Sequence, residues 1–511
     1  MMKRFYPFAL ALSGGIISAF SMSPTNAWPL IFIGLSLFYV AYSTCYRTAG
    51  SFFSGFIFGL GYFTTGLWWV GNALLVDGNE YAWVWPVAVI GLPTILSIFT
   101  GLGTLAARKI VPDNNYFGYA AFCFCLTLSE YVRGHIFTGF PWNLYGYTWT
   151  GQLPMLQVLH VIGSYGLTLL TVFWAVLPGF LIVSSSSRRL KITETVCALS
   201  SMAAIYGYGY YRLQAHPVSL RDDVQVKIVQ PNISQDMKWR PELMGAHFET
   251  ELRLSAYNAE NDSHLPTVIV WPETAIPSSL LNHPVARQRL ADMLAGFPAS
   301  THLISGILDK RNAETDDPLY YNGVGVFDAS GSLEAVYSKT HLVPFGEFIP
   351  FQKYIPLEPV VEFSGFQKGT GPATISYQGI PLFSPLVCYE IIFPGDVTPR
   401  SGERSDWIVT VTNDAWYGDS AGPRQHFAHA IYRAIEEGLP VARSANTGIS
   451  GLTDPYGRVL AKLDLFQEGS ISHLMPARLN STLYHKTGDW PLLGFILIAL
   501  GGAFMLHRNR K

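Results

Sequence analysis

The sequence predicts an α/β domain attached to a bundle of membrane-spanning helices, and two observations carry this prediction. Only 14% of the 511 residues are charged, against about 25% in an average soluble domain, and apolar runs fill the chain before Tyr211 and again after Trp490. Between about Arg212 and Lys486, strand and helix patterns alternate, as they do in layered α/β domains.

Eight apolar runs are long enough to cross a bilayer, which takes about 20 residues with a range of roughly 17–25. They are Phe5–Met22, Trp28–Tyr46, Phe52–Gly71, Trp83–Ala107, Tyr116–Val132, Leu156–Val183, Ile192–Tyr211 and Trp490–Leu506. Lys3 and Arg4 leave a signal peptide open as an alternative for the first run. The segment Met22–Trp28 is, however, a poor cleavage site, and further spans follow at once.

These runs divide the chain into three expected parts. They are a membrane domain of seven helices over 1–211, a polar domain over 212–486, and an eighth helix with a basic tail over 487–511. Lysine and arginine collect in the cytoplasmic loops of membrane proteins. If the N-terminus lies inside, the inner loops and tail hold Arg47, Arg108, Lys109, Arg188, Arg189, Lys191, Arg508, Arg510 and Lys511. We therefore expect a bacterial inner-membrane protein with a periplasmic polar domain and cytoplasmic termini.

The predicted outer loop Arg133–Thr150 is dense in glycine, proline and aromatic residues. It fits an interfacial belt, in which tryptophan and tyrosine lie at headgroup level, and it fits a functional segment equally well. In the second case, Arg133 at the interface is a candidate for holding a lipid phosphate.

The polar domain shows β-rich runs that alternate with helical patterns. The predicted strands are Val224–Gln230, Thr267–Trp271, His302–Ile307, Asn322–Asp328, Phe383–Tyr389 and Asp406–Asn413. The predicted helices are Pro241–Asn258, Pro284–Leu294 and Arg424–Glu437. Open α/β sheets bind ligands at the carboxyl ends of their strands, so reactive side chains at those ends are candidates for a site.

Three segments place reactive side chains at such strand ends. Glu273 follows a predicted strand that prolines terminate, and Lys339 and Glu347 share the segment YSKTHLVPFGE. Cys388 ends another predicted strand, with Glu390 two residues further on. No other cysteine lies in the polar domain, so Cys388 is either a small packed side chain or a nucleophile.

Three of these residues together form a chemically complete set for acyl transfer. A thiol needs a base to become the thiolate that attacks a carbonyl, and a carboxylate in a partly dry pocket can have its pKa raised enough to serve. Glu273 is the candidate base for Cys388. The oxyanion that forms next is stabilised by a fixed cation and a backbone N–H, for which Lys339 and the N–H of Tyr389 are the candidates.

Glu273 in WPET, Lys339 in YSKTHLVPFGE and Cys388 in VCYE resemble the Glu-Lys-Cys triad of the nitrilase, or carbon–nitrogen hydrolase, superfamily. With helices before and after that domain, the whole chain resembles the apolipoprotein N-acyltransferase family of bacterial membrane enzymes. Other matching segments are VQPNI (Val229–Ile233), TNDAWYG (Thr412–Gly418), the segment from Arg424, ARSANTG (Ala442–Gly448) and TGFPW (Thr138–Trp142). Ser234 and Tyr417 depart from the family, which often has proline and phenylalanine there.

The resemblance implies a nitrilase-like αββα sandwich inserted between transmembrane helices 7 and 8 of an eight-helix membrane domain. It also implies a ping-pong reaction. Glu273 deprotonates Cys388, which attacks the sn-1 ester of a phospholipid, typically phosphatidylethanolamine, while Lys339 steadies the oxyanion. The thioester then acylates the N-terminal α-amine of a diacylglyceryl-cysteine apolipoprotein, which is the last step of lipoprotein maturation.

The resemblance implies roles for further residues. Glu347 and Glu390 match acidic positions that orient Lys339 and position substrate, although structural carboxylates bound by backbone N–H groups are an alternative. Trp239 matches a lid position, and the pocket positions are matched by Asn413, Trp416 and Arg443. Because both substrates carry long acyl chains, each buried methylene of which is worth about 0.8 kcal/mol, we expect the site to open toward the membrane. The aromatic segment Phe345–Phe366 is the predicted mouth.

Two other functions remain open at this point. In a membrane-tethered amidase or nitrilase, water would resolve the thioester; in a transporter or receptor, the outer domain would only bind a ligand. The spans contain few of the intramembrane charges that transport pathways need, with Glu130 the main exception. His341, His426 and His429 have no convincing metal-ligand spacing, and neither a nucleotide-binding glycine loop nor a basic nucleic-acid face is found. We expect a monomer without metal or cofactor.

Overall fold

The computed structural model describes residues 2–76, 82–256, 265–298, 300–312, 318–349 and 365–508. Helices form the first part of the chain and return at its end. They are α1 (Met2–Ala19), α2 (Pro29–Thr44), α3 (Thr48–Leu67), α4 (Trp85–Ile110), α5 (Tyr116–His135), the short α6 (Leu153–Leu156), α7 (Leu159–Val183), α8 (Arg188–Ala215) and, near the C-terminus, α15 (Trp490–Arg508).

Each long helix overlaps one of the predicted apolar runs. Among the residues described, three helices are long and apolar enough to cross a membrane by length and composition, namely Ala82–Ile110, Leu159–Val183 and Trp490–Arg508. Two shorter apolar helices cover Phe5–Ala19 and Pro29–Thr44. The helices pack around an aromatic core in which, for example, the rings of Phe38 and Phe58 stack with centroids 4.0 Å apart.

The middle of the chain forms two six-stranded sheets. The first has the order β12-β1-β2-β3-β4-β5, and its strands are β1 (Leu220–Gln230), β2 (Thr267–Ile276), β3 (His302–Arg311), β4 (Leu319–Phe327), β5 (Leu333–Ser338) and β12 (Gly469–Pro476). The second has the order β11-β10-β9-β8-β7-β6, and its strands are β6 (Ile375–Tyr377), β7 (Ile380–Val387), β8 (Trp407–Thr412), β9 (Val441–Ala445), β10 (Ser450–Thr453) and β11 (Val459–Leu463). The central strands β1, β2 and β3 are parallel, as are β7, β8 and β9.

The alternation of side chains along each strand sorts the buried residues into two layers. In β2, Val268 and Val270 face the second sheet, whereas Ile269 and Trp271 face the helices on the outer side. In β8, Trp407, Val409 and Val411 join the core between the sheets, whereas Ile408 faces the other way. Strands buried on both faces in this way explain the continuous apolar runs in the sequence.

Helices cover both outer faces of the paired sheets. The first sheet is covered by α10 (Met244–Ala256) and α12 (Pro284–Leu294), with the short α9 (Gln235–Lys238) and α11 (Ser278–Leu281) nearby. The second is covered by α13 (Ala421–Glu437). The short α14 (Leu483–Thr487), which comes after β12, packs against α13 and α7. The predicted αββα sandwich is therefore confirmed. The outer face of the second sheet and α13 share one continuous apolar core with the membrane helices.

All six predicted strands and all three predicted helices overlap elements of the structure, whereas β5, β6 and β9 to β12 are absent from the sequence prediction. Four of these six strands, β6 and β9 to β11, have five residues or fewer. VARSA and SGLT in β9 and β10 also consist largely of small or polar residues. Their extended form is imposed by pairing with neighbouring strands, which a local pattern does not reveal. The predicted end of the strand at Trp271 is also wrong, because β2 continues to Ile276.

Candidate active site

Cys388 lies at the point where β7 ends and a tight turn, Cys388–Ile392, begins. Its backbone has φ of +52°, a left-handed conformation that costs a residue with a side chain about 1–3 kcal/mol and is concentrated at functional sites. The ring Nε2 of His426, in α13, donates to the carbonyl oxygen of Cys388 at 3.1 Å. The thiol is thus held at the carboxyl end of a central strand by a contact that fixes the strained turn.

Glu273 is presented by an irregularity in β2. The register between β2 and β3 shifts between Trp271 and Ile276, and Pro272 has no N–H to continue the ladder. The backbone here passes so close to Gly306 of β3 that a Cβ on Gly306 would lie 2.5 Å from the Cα of Glu273. A glycine at this position therefore permits the bulge that carries Glu273 into the site.

The two carboxylate oxygens of Glu273 accept hydrogen bonds from neutral donors. Oε1 accepts from the Asn322 side-chain amide at 2.7 Å, and Oε2 accepts from the backbone N–H of Asn413 at 2.8 Å. The ammonium of Lys339 is further away, at 4.0 Å. Burial raises the pKa of Glu273, and Lys339 offsets only part of this rise. Glu273 is therefore a carboxylate poised to take up a proton.

Lys339 follows β5 and is fully buried. Its ammonium donates to Glu347 at 2.9 Å, and the side-chain amide of Asn322 donates to both Glu347, at 3.0 Å, and Glu273. Burial alone would lower the pKa of Lys339, but Glu347 and Glu273 more than offset this, so the pKa lies above its ordinary value. Lys339 is a fixed cation. We call Glu273, Asn322, Lys339 and Glu347 the Glu273 cluster.

A second set of buried charged residues also lies near Cys388, and all of its members follow Cys388 in the chain. Asp414 accepts from Arg443 at 2.6 Å and lies 2.8 Å from Nδ1 of His426. Burial alone would raise the pKa of Asp414, but Arg443 and His426 hold it well below its usual range. We call Asp414, His426 and Arg443 the Asp414 cluster. Its carboxylate is locked in the ionised form.

The thiol of Cys388 responds to both clusters. Burial raises its pKa, Glu273 and Asp414 raise it further, and Lys339 opposes them, so the resting side chain is the protonated thiol. The Cys388 sulfur, an Asp414 oxygen and a His426 nitrogen lie within 4.8 Å of one another. The Arg443 guanidinium beside Asp414 opposes a metal cation at this position, because two cations in one dry site repel each other.

The hydrogen-bond partners of Glu390 and Tyr389 differ in kind from those of Glu273 and Lys339. Glu390 accepts from the backbone N–H groups of Val387 at 2.7 Å and of Thr340 at 2.6 Å, so it joins the Cys388 turn to the segment that follows Lys339. Its geometry fits the structural alternative considered for it, whereas Glu347, on the ammonium of Lys339, fits the orienting one. The side chain of Tyr389 instead contacts the loop Arg133–Thr150, where its hydroxyl donates a hydrogen bond to the carbonyl oxygen of Gly139 at 2.9 Å.

The remaining predicted residues are close in the chain to residues of this site. Trp239 follows α9 and Trp416 lies in the turn Asp414–Tyr417, and both are half-buried. In the predicted mouth Phe345–Phe366, Phe345 is 52% exposed and Phe366 is buried, while residues 350–364, including Phe351, Tyr354 and Phe363, lie outside the described part of the chain.

Two polar residues of this site escaped the sequence prediction. Asn322, in β4, bridges Glu273 and Glu347. Lys238, beside Trp239, donates its ammonium to the backbone carbonyl of Glu273 at 2.7 Å, and burial lowers its pKa to about 8. Asn322 begins a predicted strand and Lys238 sits in a short polar segment, so only their positions in three dimensions reveal them.

The tryptophan and tyrosine side chains of the loop Arg133–Thr150 are buried and form no exposed aromatic belt. Arg133 is buried in an ion pair with Glu130 at 2.6 Å and donates to the carbonyl oxygens of Phe140 and Trp142. The suggestion that Arg133 holds a lipid phosphate is wrong, because its guanidinium is occupied and inaccessible. The indole N–H of Trp142 donates to Gln425 of α13 at 2.8 Å, so the loop is the surface on which the sandwich docks.

Comparison with protein-family models identifies two regions of the chain. Residues 14–177 match the apolipoprotein N-acyltransferase N-terminal domain, and residues 259–483 match the carbon–nitrogen hydrolase family. The second region contains Glu273, Lys339 and Cys388, and it covers most of the sandwich.

Curated relatives match the chain almost from end to end. The apolipoprotein N-acyltransferase of Rhodopseudomonas palustris is 36% identical over 98% of this chain and 95% of its own length. The apolipoprotein N-acyltransferase of Bradyrhizobium diazoefficiens is 38% identical over 98% of this chain and 94% of its own length. Among solved structures, a Nesterenkonia amidase from the nitrilase superfamily aligns with 55% of this chain and 99% of its own, with 18% identity and a TM-score of 0.38.

Proposed function

The chain belongs to the apolipoprotein N-acyltransferase family, and we propose that it carries an acyl chain from a membrane phospholipid, through a thioester on Cys388, to the N-terminal α-amine of a diacylated lipoprotein. The protein is an acyltransferase and a membrane protein. The observation that best supports this route is the Glu273 cluster beside a protonated thiol, because it combines a carboxylate able to accept a proton with a fixed ammonium.

In the first half of the reaction, Glu273 takes the proton from the Cys388 thiol and the sulfur attacks the ester carbonyl, typically the sn-1 ester of phosphatidylethanolamine. The oxyanion forms next to Lys339, whose positive charge Glu347 keeps in place, and the N–H of Tyr389 is the second donor. When the carbon–oxygen bond breaks, Glu273 returns the proton to the leaving lysophospholipid. A thioester remains on Cys388.

In the second half, the α-amine of the lipoprotein's diacylglyceryl-cysteine attacks the thioester. Glu273 takes the ammonium proton as the carbon–nitrogen bond forms, and the carbon–sulfur bond breaks. Glu273 then reprotonates the thiolate of Cys388, and the triacylated product leaves. Asn413 acts through its backbone N–H on Glu273, and Arg443 acts through Asp414; Trp239 and Trp416 bound the substrate pocket.

The proposed topology follows the distribution of basic loops. Residues 1–211 form a membrane domain with seven transmembrane helices, residues 212–486 the periplasmic catalytic domain, and residues 487–511 the eighth helix and cytoplasmic tail. The enzyme is a monomer of the bacterial inner membrane. The continuous apolar core between α13 and the membrane helices supports a sandwich that is held rigidly at the membrane surface, where both substrates reside.

The test is to incubate the purified full-length protein with phosphatidylethanolamine, trap and mass-analyse the Cys388 peptide, and then add a diacylated lipopeptide. We expect an acyl adduct on Cys388 that moves to the lipopeptide amine. The Cys388→Ala variant should form no adduct, whereas Cys197→Ala, which removes an exposed thiol in α8, should behave as the wild type.

The same experiment decides between transfer and the alternative, a membrane-tethered amidase or nitrilase-type hydrolase. An adduct that is lost to water at the same rate with and without the lipopeptide would support the hydrolase. If no adduct forms under any condition, both mechanisms fail.

A further inference from the structure

The backbone that carries Glu273 is strained on its C-terminal side. The next residue, Thr274, has φ of +49°, which is an outlier for a β-branched side chain. Such a conformation persists only where the surrounding structure over-determines it, and it is concentrated at functional sites. The peptide that joins Glu273 to Thr274 therefore needs contacts that hold it in this form.

Two donors meet the carbonyl oxygen of that peptide. Thr274 donates its own hydroxyl at 2.8 Å, and the ammonium of Lys238 donates at 2.7 Å. Lys238 is the last residue of α9 and is only 8% exposed. A hydrogen bond from a charged donor is roughly twice as strong as one between neutral groups. Lys238 is thus the stronger of the two anchors, and it comes from a different element.

The charged and titratable groups that face Lys238 belong to three other parts of the sandwich. They are Glu273 in β2, Glu251 in α10 and the Cys388 thiol. Burial raises the pKa of Glu251 to about 8, so this carboxyl is mainly protonated near neutral pH, and Cys388 rests as the thiol. Among the described groups that face Lys238, Glu273 is therefore the one that presents a negative charge to it.

The charges of Lys238 and Glu273 favour each other. Burial lowers the pKa of Lys238 to about 8, and Glu273 opposes this fall. Burial raises the pKa of Glu273, and the cations Lys339 and Lys238 oppose that rise. Lys238 therefore acts on Glu273 in two ways, as a hydrogen-bond donor to its backbone and as a cation that favours its ionised form.

A second contact joins α9 to the carboxylate of Glu273. Gln235, the first residue of α9, accepts from the side-chain amide of Asn413 at 2.7 Å. The backbone N–H of the same asparagine donates to Oε2 of Glu273 at 2.8 Å. One short helix therefore holds Glu273 at its backbone through Lys238 and at its carboxylate through Gln235 and Asn413.

The position of α9 also links Glu273 to the substrate pocket. Trp239 follows Lys238 directly in the chain, and in the proposed function Trp239 bounds that pocket. The helix therefore sets the position of the base relative to a wall of the pocket, which the sequence separation of 35 residues between Lys238 and Glu273 does not reveal.

We propose that Lys238 is a positioning residue for acyl transfer, whose ammonium fixes the backbone of Glu273 and whose charge keeps the Glu273 carboxylate ionised. This inference rests on the proposed function, because it takes Glu273 as the base for Cys388. Lys238 itself contacts neither the thiol nor the ester, and no bond to it forms or breaks. It acts only through Glu273.

The test measures adduct formation on Cys388 by the full-length protein with saturating phosphatidylethanolamine, from pH 4 to 8. Lys238→Met removes the charge and the donor. At the plateau of the pH profile we expect adduct formation to slow about 10–100-fold, because a misplacement of about 1 Å can cost 10²-fold in rate. The lipid concentration for half-saturation should stay unchanged. The acidic limb should move to higher pH, because Glu273 loses a neighbouring cation and its pKa rises.

Three further variants separate geometry from charge. Gln235→Met breaks the contact with Asn413 but changes no charge, so it should slow the reaction without moving the acidic limb. Lys238→Arg keeps a cation and should return the limb to its wild-type position. Lys462→Met replaces an exposed lysine of β11 and, as the matched control, should behave as the wild type.

The outcomes distinguish this inference from the proposed function. If the wild type forms no adduct, the proposed function fails. If the wild type forms it and Lys238→Met matches its rate and its limb, only the role of Lys238 is overturned. A slower rate with an unmoved limb would also overturn that role, because damage to the structure alone leaves the pKa of Glu273 unchanged. Should Lys238→Met fail to fold, a wild-type rate in Gln235→Met or a limb displaced in Lys238→Arg would overturn it.

Discussion

The two charge clusters that border Cys388 contain the same kinds of groups but differ in what their carboxylates can do. In the Glu273 cluster the carboxylate accepts from two neutral donors and stands 4.0 Å from the ammonium, and its pKa is raised. In the Asp414 cluster the carboxylate is bound at 2.6 Å by a guanidinium, and its pKa is lowered. Only the first carboxylate is suited to take a proton from the thiol.

The comparison teaches that closeness to a nucleophile does not identify a base. Both Glu273 and Asp414 act on the thiol electrostatically, and both are buried. What separates them is the partner of each carboxylate. A direct ion pair stabilises the ionised form and lowers the pKa, whereas burial with neutral donors favours protonation.

The largest expected effect contrasts the two carboxylates directly. Glu273→Gln should slow formation of the Cys388 adduct about 10²–10⁴-fold, because general base catalysis contributes about that much. Asp414→Asn should slow it less than tenfold per folded molecule. Rates of adduct formation by mass spectrometry measure both, with Glu468→Gln, an exposed residue, as control. Equal losses in the two variants would contradict the assignment of Glu273 as the base.

The two variants should rank the other way in stability, with Asp414→Asn lowering the free energy of unfolding more than Glu273→Gln. Asp414→Asn leaves the buried Arg443 without its anionic partner, which costs about 3–5 kcal/mol. Glu273→Gln loses one of the two hydrogen bonds that the carboxylate accepts and should cost less, about 1–3 kcal/mol, because Lys339 stays paired with Glu347. Thermal unfolding of the full-length variants in the same detergent measures the difference. A smaller fall in unfolding temperature for Asp414→Asn than for Glu273→Gln would show that the Asp414–Arg443 ion pair does not stabilise the site.

The pH dependence of adduct formation should follow Glu273. The base must be ionised, and burial raises its pKa, so the rate should fall as pH drops through a value above the ordinary pKa of glutamate, 4.5. Asp414 stays ionised throughout this window, because its pKa is lowered. A profile of the rate from pH 4 to 8 measures this acidic limb, in which the rate should fall about tenfold for each pH unit below the pKa. Glu273→Gln should remove the limb.

Asn322→Ala should shift that limb rather than abolish the reaction. Asn322 donates to Glu273, and a hydrogen bond to a charged group is worth about 1.5–3 kcal/mol, or about one to two pKa units. Its loss should raise the pKa of Glu273 further and move the limb to higher pH. A uniform loss of rate at every pH would instead indicate a purely structural role for Asn322.

Tyr389→Phe should have the smallest effect. The change removes one hydrogen bond, from the Tyr389 hydroxyl to the carbonyl oxygen of Gly139, which is worth about 0.5–1.5 kcal/mol. The backbone N–H that we propose as an oxyanion donor is untouched, so adduct formation should be almost unchanged while the unfolding temperature falls slightly. A loss of activity larger than the loss of stability would assign the hydroxyl a part in the reaction.

The sequence by itself determined the two-part architecture, because long apolar runs and alternating strand patterns are local properties of the chain. It also singled out Glu273, Lys339 and Cys388, whose positions at or near strand ends follow from proline and turn residues nearby, and from the resemblance to a known triad. These features can be recognised from the sequence alone because each depends on a few neighbouring residues.

Only the tertiary structure decided which charges meet. Asn322 bridges Glu273 and Glu347 across 49 and 25 positions of sequence, and Arg443 reaches Asp414 across 29. Arg133, one candidate for a lipid phosphate, instead forms a buried ion pair with Glu130. Pairing of buried charges depends on the packing of distant strands and helices, and this pairing sets the pKa of each carboxylate. The choice between a base and a structural anion was therefore made by the fold.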